Sequence, residues 1–288
     1  MADDTAVVVV GAGRVGTALA ARLLTGGREV SLVTRSAASL VRASAAAPDV
    51  PVVGLEAVTA AEVVLLCVAD DDLPAVVASL PTTAPTALVA HTSGRHGLSV
   101  LGALAGHKAA IHPVMTFSGG RFDLTNLDGI AYGVTAHGPG LAAATTLVAD
   151  LGGVVELVPD ELRPLYHAAL SHAANHLVTL VADAADLLRQ AGIEDTSRML
   201  GPITGAALAN VLATDPATDR PAGDAALTGP VVRGDAGTVA AHLAALRGSP
   251  AEAAYRAMAR RTAERAEQAG RLSHESALAI IEQLAPPD

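Results

Sequence analysis

A β-branched run, Val7-Val8-Val9-Val10, stops at Gly11-Ala12-Gly13-Arg14-Val15-Gly16, and a segment of helical composition and spacing, TALAARLL, follows at once. Strand, tight turn and helix in that order constrain the fold more than any other feature of the chain. In G-x-G-x-x-G the first glycine permits the turn, the second admits a pyrophosphate against the backbone, and the third lets helix and strand pack closely. The helix that begins near Arg14, with Val15 in its first turn, then aims free backbone N–H groups and a positive dipole end at phosphates. A glycine-rich turn of purely structural purpose is the alternative, and the position between an apolar strand and a helix favours a dinucleotide site.

The alternation continues. Apolar strands are expected at 30–34, 51–53, 63–68, 87–91, 109–113, 130–135 and 154–158, with helical segments SAASLVRASAAA, a short one from Leu73, and LAAATTLVAD between them. Uniformly apolar strands joined by helices describe a sheet covered on both faces. The fold class expected is therefore α/β, a doubly wound, mainly parallel sheet over residues 1–158. From 159 to 288 the strand signal fades and an all-helical domain is expected. Its first helix should run from about 161 to 191 and end at Ala191-Gly192. Residues 213–224, rich in Pro, Asp, Thr and Gly, read as a loop. Further helices are expected near 237–247, 250–270 and 273–284.

Composition removes several function classes. Lys and Arg number 19 against 29 Asp and Glu, a formal charge of −10, which argues against a nucleic-acid-binding surface. At 51% hydrophobic and 17% charged the chain is not disordered. No apolar run approaches the roughly 20 residues of a membrane span, and Asp3 and Asp4 stand where a signal peptide would be basic, so a cytoplasmic protein is expected. The single cysteine, Cys67, sits in VVLLCV and is expected to pack; no metal site is expected.

Which dinucleotide binds is decided at the end of the second strand. An NAD site would place Asp or Glu there against the ribose 2′-hydroxyl; here Thr34 holds that position and Arg35-Ser36 follow, a cation and a hydroxyl suited to a 2′-phosphate. NADP is the expected cofactor, against the alternative of a merely solvated Arg35. Substrate groups should gather outside the carboxyl ends of the strands. Asp70 to Asp72 follow the fourth strand as a solvated loop or helix start, Asp70 nearest the cofactor. His91 and Ser93 after the fifth strand either face the nicotinamide or cap a turn. His112, kept extended by Pro113, either points into the cleft or fills a strand end.

The long helix supplies a second wall. His167, Ser171 and Asn175 are four residues apart and drift only about 40° each, so they share one stripe, expected to be buried and partnered. Arg233 and Asp235 in LTGPVVRGD offer a guanidinium fork for a substrate carboxylate and an acid to hold it, or else an ordinary surface pair; Thr228 of the same motif is a further substrate-binding candidate. The only lysine, Lys108, precedes the sixth strand, so none is available on the long helix as a proton donor.

GAGRVG, HTSG, the HP pair, YHAALSHAANHL and LTGPVVRGD, in that order, resemble Rossmann-like proteins whose all-helical C-terminal domain long carried an unknown-function label. That family is similar to β-hydroxyacid dehydrogenases, deazaflavin-dependent NADP reductases and ketopantoate reductases. The resemblance implies NADPH-dependent reduction of a small 2-oxo acid, ketopantoate in pantothenate biosynthesis being the leading guess. Asn175 matches the family asparagine, while Ser171 stands where a hydroxyacid dehydrogenase has its lysine. The acid–base role then falls to His167 or His112, with Asn175 orienting the acceptor and Arg233 binding its carboxylate. Two other readings stand beside it: an imine, hydroxyacid or prephenate type of NADP oxidoreductase, and an NADP-binding sensor or scaffold without turnover. A homodimer built by the helical domain is expected, because the long helix is apolar on nearly all faces.

Overall fold

The computed structural model describes residues 6–120, 122–215, 220–221 and 223–285. Two compact units emerge, 1–174 and 175–288. The expected boundary at 158/159 follows the last strand, whereas the packing boundary falls inside the long helix, whose first residue, Arg163, is fully buried in the first unit.

The first unit holds one eight-stranded sheet in the order β3-β2-β1-β4-β5-β6-β7-β8. Its strands are β1 (Val7–Val10), β2 (Val30–Val33), β3 (Val52–Val53), β4 (Val63–Leu66), β5 (Leu88–His91), β6 (His107–Pro113), β7 (Ala131–Ala136) and β8 (Val154–Leu157). Helices α1 (Arg14–Thr25), α2 (Ala37–Ala46), α3 (Leu73–Ser79), α4 (Phe122–Thr125) and α5 (Gly138–Asp150) connect them. Strands β1 to β6 are parallel in register, and β7 turns back antiparallel on β6, pairing His112 with Gly133. The sheet is thus mainly parallel with one reversal.

The apolar strands follow from burial on both faces. Successive side chains alternate, so Val7 and Val9 join Leu19, Leu23, Leu65, Ile111 and Leu147 on one side, while Val8 and Val10 join Val64, Leu66, Leu73, Val76 and Leu101 on the other. Each such side chain contributes about 1.5–3 kcal/mol by leaving water. The two edge strands stay more open: Val52 of β3 is exposed, and Val154 and Leu157 of β8 are more than half exposed.

Helix α6 (Arg163–Gln190) runs 28 residues across the unit boundary, and α7 (Ser197–Leu212), α8 (Ala236–Leu246), α9 (Glu252–Gln268) and α10 (His274–Gln283) follow. In the second unit α8, α9 and α10 enclose a core of Val232, Val239, Leu243, Ala263, Leu272, Ala277 and Ile280. Asp235 and Ser273 cap α8 and α10, accepting from the backbone N–H groups of Thr238 and Ser276. Helix α7 buries none of its residues. Within the stretch read as a loop, β9 (Thr214–Asp215) and β10 (Arg220–Pro221) pair antiparallel.

Candidate active site

The glycine turn divides its labour between folding and an open surface. Gly11 has φ +112°, a conformation that L side chains rarely adopt, and a Cβ there would collide with the Cys67 carbonyl. A Cβ on Gly16 would run into the Gly11 carbonyl oxygen, so this glycine lets α1 lie against the strand end. Gly13 differs: a Cβ there would meet no atom within 4 Å. Gly13 is also the N-cap of α1 with no capping side chain, and no acid stands in the helix's first turn. The N–H groups of that turn are left to an outside acceptor, and Arg14 adds a cation where the helix dipole alone favours an anion.

The turn opens on a cleft of about 380 Å³ within the first unit. Gly11, Ala12 and Gly13 form one end; Thr34, Arg35, Ser36, Ser39 and Arg42 form the other. Ser36 caps α2, its hydroxyl meets that of Ser39 at 2.8 Å, and Arg42 donates to Ser39 Oγ at 2.8 Å. Among the described residues neither Arg35 nor Arg42 is in an ion pair, so two exposed guanidinium groups and two hydroxyls stand together with their charges unpaired, in a cleft that Asp72 also lines. A dinucleotide with a 2′-phosphate fits this donor set. Arg14 itself lines a neighbouring recess of about 200 Å³ with Thr17, Arg42, Gly119 and Asp123, and Val15 packs half-buried on the core. Burial pushes the Cys67 thiol up to about 12, which leaves the sulfur inert beneath the turn.

The acids after β4 split. Asp72 lines the cleft, whereas Asp70 and Asp71 both take hydrogen bonds from Arg95, and the Asp70 carbonyl accepts from His96 Nε2 at 3.1 Å. His91 is fully buried: its Nε2 donates to the Gly97 carbonyl at 3.1 Å and its Nδ1 accepts from the Ser93 N–H at 3.2 Å. Both ring nitrogens are therefore spent on the turn that follows β5. Burial drives His91 down to about 4 and keeps it neutral. Ser93 Oγ accepts from the His96 N–H, and its carbonyl accepts from Arg163 Nη2 at 2.6 Å.

At the carboxyl edge of β6 a cluster of rings forms. His112 Nδ1 lies 2.9 Å from the hydroxyl of Tyr166, with ring centroids 5.7 Å apart at 89°. The His167 ring meets His112 edge-on at 5.9 Å and 88°. Two glycines make the room: a Cβ on Gly133 would strike the Tyr166 hydroxyl, and one on Gly94 would strike the His167 ring. The Arg163 guanidinium lies 5.8 Å from the Tyr166 ring centroid. Burial, then the charges of Arg163 and His167, hold His112 down to about 4, so it is a neutral imidazole near pH 7.

Within the single chain the expected stripe is not closed over: His167 and Ser171 are half-buried, and Asn175, which opens the second unit, is exposed, which leaves burial against a second subunit as the other expectation for this helix. In the second unit Thr228 lines an apolar cavity of about 370 Å³ with Leu187, Val231, Tyr255 and Met258. Arg233 is exposed, and Asp235 spends its carboxylate on Thr238, its N–H at 2.9 Å and its hydroxyl at 2.6 Å, so it caps a helix and does not brace a guanidinium. Sequence reasoning passed over Tyr166, Arg163, Ser39 and Arg42. Tyr166 stood next to a singled-out histidine, and Ser39 lies one helical turn past Ser36; no local pattern marked Arg163.

A doubly wound dinucleotide-binding type of domain followed by helices is what the fold and the cleft define. Residues 3–113 match the family model of a Rossmann-like domain, and residues 130–262 match that of a Domain of unknown function (DUF2520), which begins at β7. No curated protein matches the chain. Among solved structures, a Bacteroides fragilis protein provisionally described as an NADP oxidoreductase is 24% identical, with TM-score 0.74 over 91% of this chain and 98% of its own. A Thermotoga maritima protein is 20% identical, with TM-score 0.68 over 92% and 99%. A reductive aminase from Aspergillus terreus, in complex with NADPH and ethyl levulinate, is 17% identical, with TM-score 0.62 over 96% and 98%. These likenesses are likenesses of fold.

Proposed function

We propose that this chain is an NADP-dependent oxidoreductase that reduces the C=O or C=N bond of a small molecule. The observation that carries the reading is the uncapped, sterically open N-terminus of α1 at Gly13, in one cleft with the corner of Arg35, Ser36, Ser39 and Arg42, whose arginines are in no ion pair among the described residues. The N–H groups from Gly13 onward would hold the pyrophosphate, and the two arginines the 2′-phosphate. Bound there, the reduced nicotinamide supplies a hydride. The chain must orient the acceptor, exclude water and furnish a proton. His112, Tyr166 and His167 are the groups gathered at the strand ends for that work, with Ser171 and Asn175 following His167 one and two turns along α6.

A 2-oxo acid is the first substrate class to test, ketopantoate included, with the exposed Arg233 as the carboxylate's partner. A second reading, reduction of an imine, is favoured by the likeness to the Aspergillus terreus reductive aminase. The test is a panel of oxo acids and of ketone–amine pairs with NADPH, scored by substrate-dependent loss of cofactor absorbance. Tight NADPH binding without turnover of any panel member would favour the sensor reading.

The protein is further proposed to act as a homodimer in the cytoplasm. No helix of the described residues is long and apolar enough to cross a membrane. Yet Val178 and Leu180 of α6 and Met199, Ile203 and Leu212 of α7 are all 47% exposed or more, beside an apolar groove of about 400 Å³. Contiguous apolar surface of this kind marks an interface. Light scattering should give twice the 28.7 kDa chain mass, and Ile203→Glu should return a monomer.

A further inference from the structure

We propose that Tyr166 donates the proton to the acceptor atom and that His112 is the positioning residue that holds its hydroxyl for this step. The inference rests on the oxidoreductase reading above and names the acid within it.

A carbonyl or imine that takes up hydride needs a proton on its heteroatom, and the site offers three candidates: His112, His167 and Tyr166. His112 is a neutral imidazole, which is a poor acid. Its one N–H has a defined use, because Nδ1 faces Tyr166 Oη at 2.9 Å. With the proton on Nδ1, the imidazole donates to the phenol oxygen, so the phenol hydrogen is turned away from His112 and free to leave. The same N–H then bonds to the phenolate that remains.

Burial raises the Tyr166 hydroxyl above its ordinary range, which works against the anion, and the Arg163 charge opposes part of that rise. Arg163 lies 5.8 Å from the ring centroid, bonds to the Ser93 carbonyl and the Thr135 hydroxyl, and is in no ion pair among the described residues, with the carboxylates of Asp160 and Asp70 acting on its charge only from beyond contact. Gly133 and Gly94, each at a point where a Cβ would collide with this cluster, give Tyr166 and His167 their places. No lysine exists on α6 to do the work instead.

The step balances as follows. The Tyr166 O–H bond breaks and its proton goes to the acceptor oxygen or nitrogen, while the acceptor carbon gains the hydride that NADPH supplies, so the double bond becomes single. The tyrosinate is reprotonated from water before the next turnover.

The test uses the full chain with Tyr166→Phe, His112→Asn and His112→Leu. Tyr166→Phe should lower kcat by about 10²–10⁴ with NADPH affinity, read by cofactor fluorescence, unchanged. Nitrogen NMR of the histidine rings should show His112 neutral with its proton on Nδ1, and Tyr166→Phe should shift that proton toward Nε2. His112→Asn, whose amide N–H can stand near the Nδ1 position, should keep more turnover than His112→Leu. Wild-type turnover in Tyr166→Phe, or an Nε2-protonated His112 in the unaltered protein, overturns the assignment alone. Failure of the unaltered chain to bind NADPH overturns the oxidoreductase reading and the assignment with it.

Discussion

Arg163 Nη2 donates to the Ser93 carbonyl at 2.6 Å, across 70 residues of sequence, and the whole guanidinium is out of contact with water. Nη1 reaches the Thr135 hydroxyl at 3.0 Å, and Nε finds no partner among the described residues. Through this one side chain the start of α6 is pinned to the turn after β5 and to β7, and Tyr166 and His167 are placed one turn further on. A buried cation with an unpaired N–H costs stability that its position must offset.

Arg163→Met keeps an unbranched stem and removes the guanidinium with both donors. The Ser93 carbonyl and Thr135 hydroxyl are then left short of partners, which should cost about 1–3 kcal/mol in urea unfolding. An unchanged midpoint would show that water replaces the guanidinium.

Gly13→Ala and Gly16→Ala should separate binding from folding. The added methyl at Gly13 stands in open space, so thermal stability should hold while NADPH affinity falls. At Gly16 the methyl strikes the Gly11 carbonyl, so the melting temperature should drop before binding can be assessed. Equal melting temperatures for the two variants would contradict this division.

Arg35→Ala and Arg42→Ala should each weaken NADPH binding by about 1.5–3 kcal/mol, roughly ten- to a hundredfold, because a charge-assisted contact to the 2′-phosphate is lost. NADH lacks that group and its affinity should stay level. Isothermal titration with both cofactors checks this, and parallel losses would remove the 2′-phosphate from the explanation.

Acid should destabilise the first unit through His91 and His112. Both are lowered from 6.5 to about 4 in the folded protein, so between those values the unfolded chain binds protons that the native one refuses. Their contribution is complete above about pH 6.5 and lost as pH falls toward 4, with a slope approaching about 1.4 kcal/mol per pH unit for each histidine. Urea midpoints at a series of pH values should show it, and His91→Gln should flatten the slope; a slope unchanged in that variant would acquit His91.

Much of the first unit was legible because its determinants are local. Eight apolar runs became eight strands within a residue or two, since the inner strands are buried on both faces and the two edge strands keep the same β-branched run, and the glycine spacing announced the turn, since backbone and helix approach there too closely for a Cβ. Periodicity likewise placed α6. What it could not carry was pairing. That β7 reverses on β6 depends on which edges meet, and a strand reads the same in either direction. His91 and His112 look alike in sequence, each at a strand end, yet one closes its own turn and the other meets a tyrosine 54 residues away. Tyr166 and Arg163 acquire their roles only from Gly133, Gly94 and Ser93, neighbours that the fold supplies. Asp235 shows the converse, a residue whose capping bond three positions ahead outweighed the guanidinium two positions behind. The sequence by itself determined where the chain extends, coils and turns, because those choices rest on side-chain period and on glycine. Which polar groups share a site was decided by tertiary structure, because burial and hydrogen bonding are settled between residues that the sequence keeps far apart.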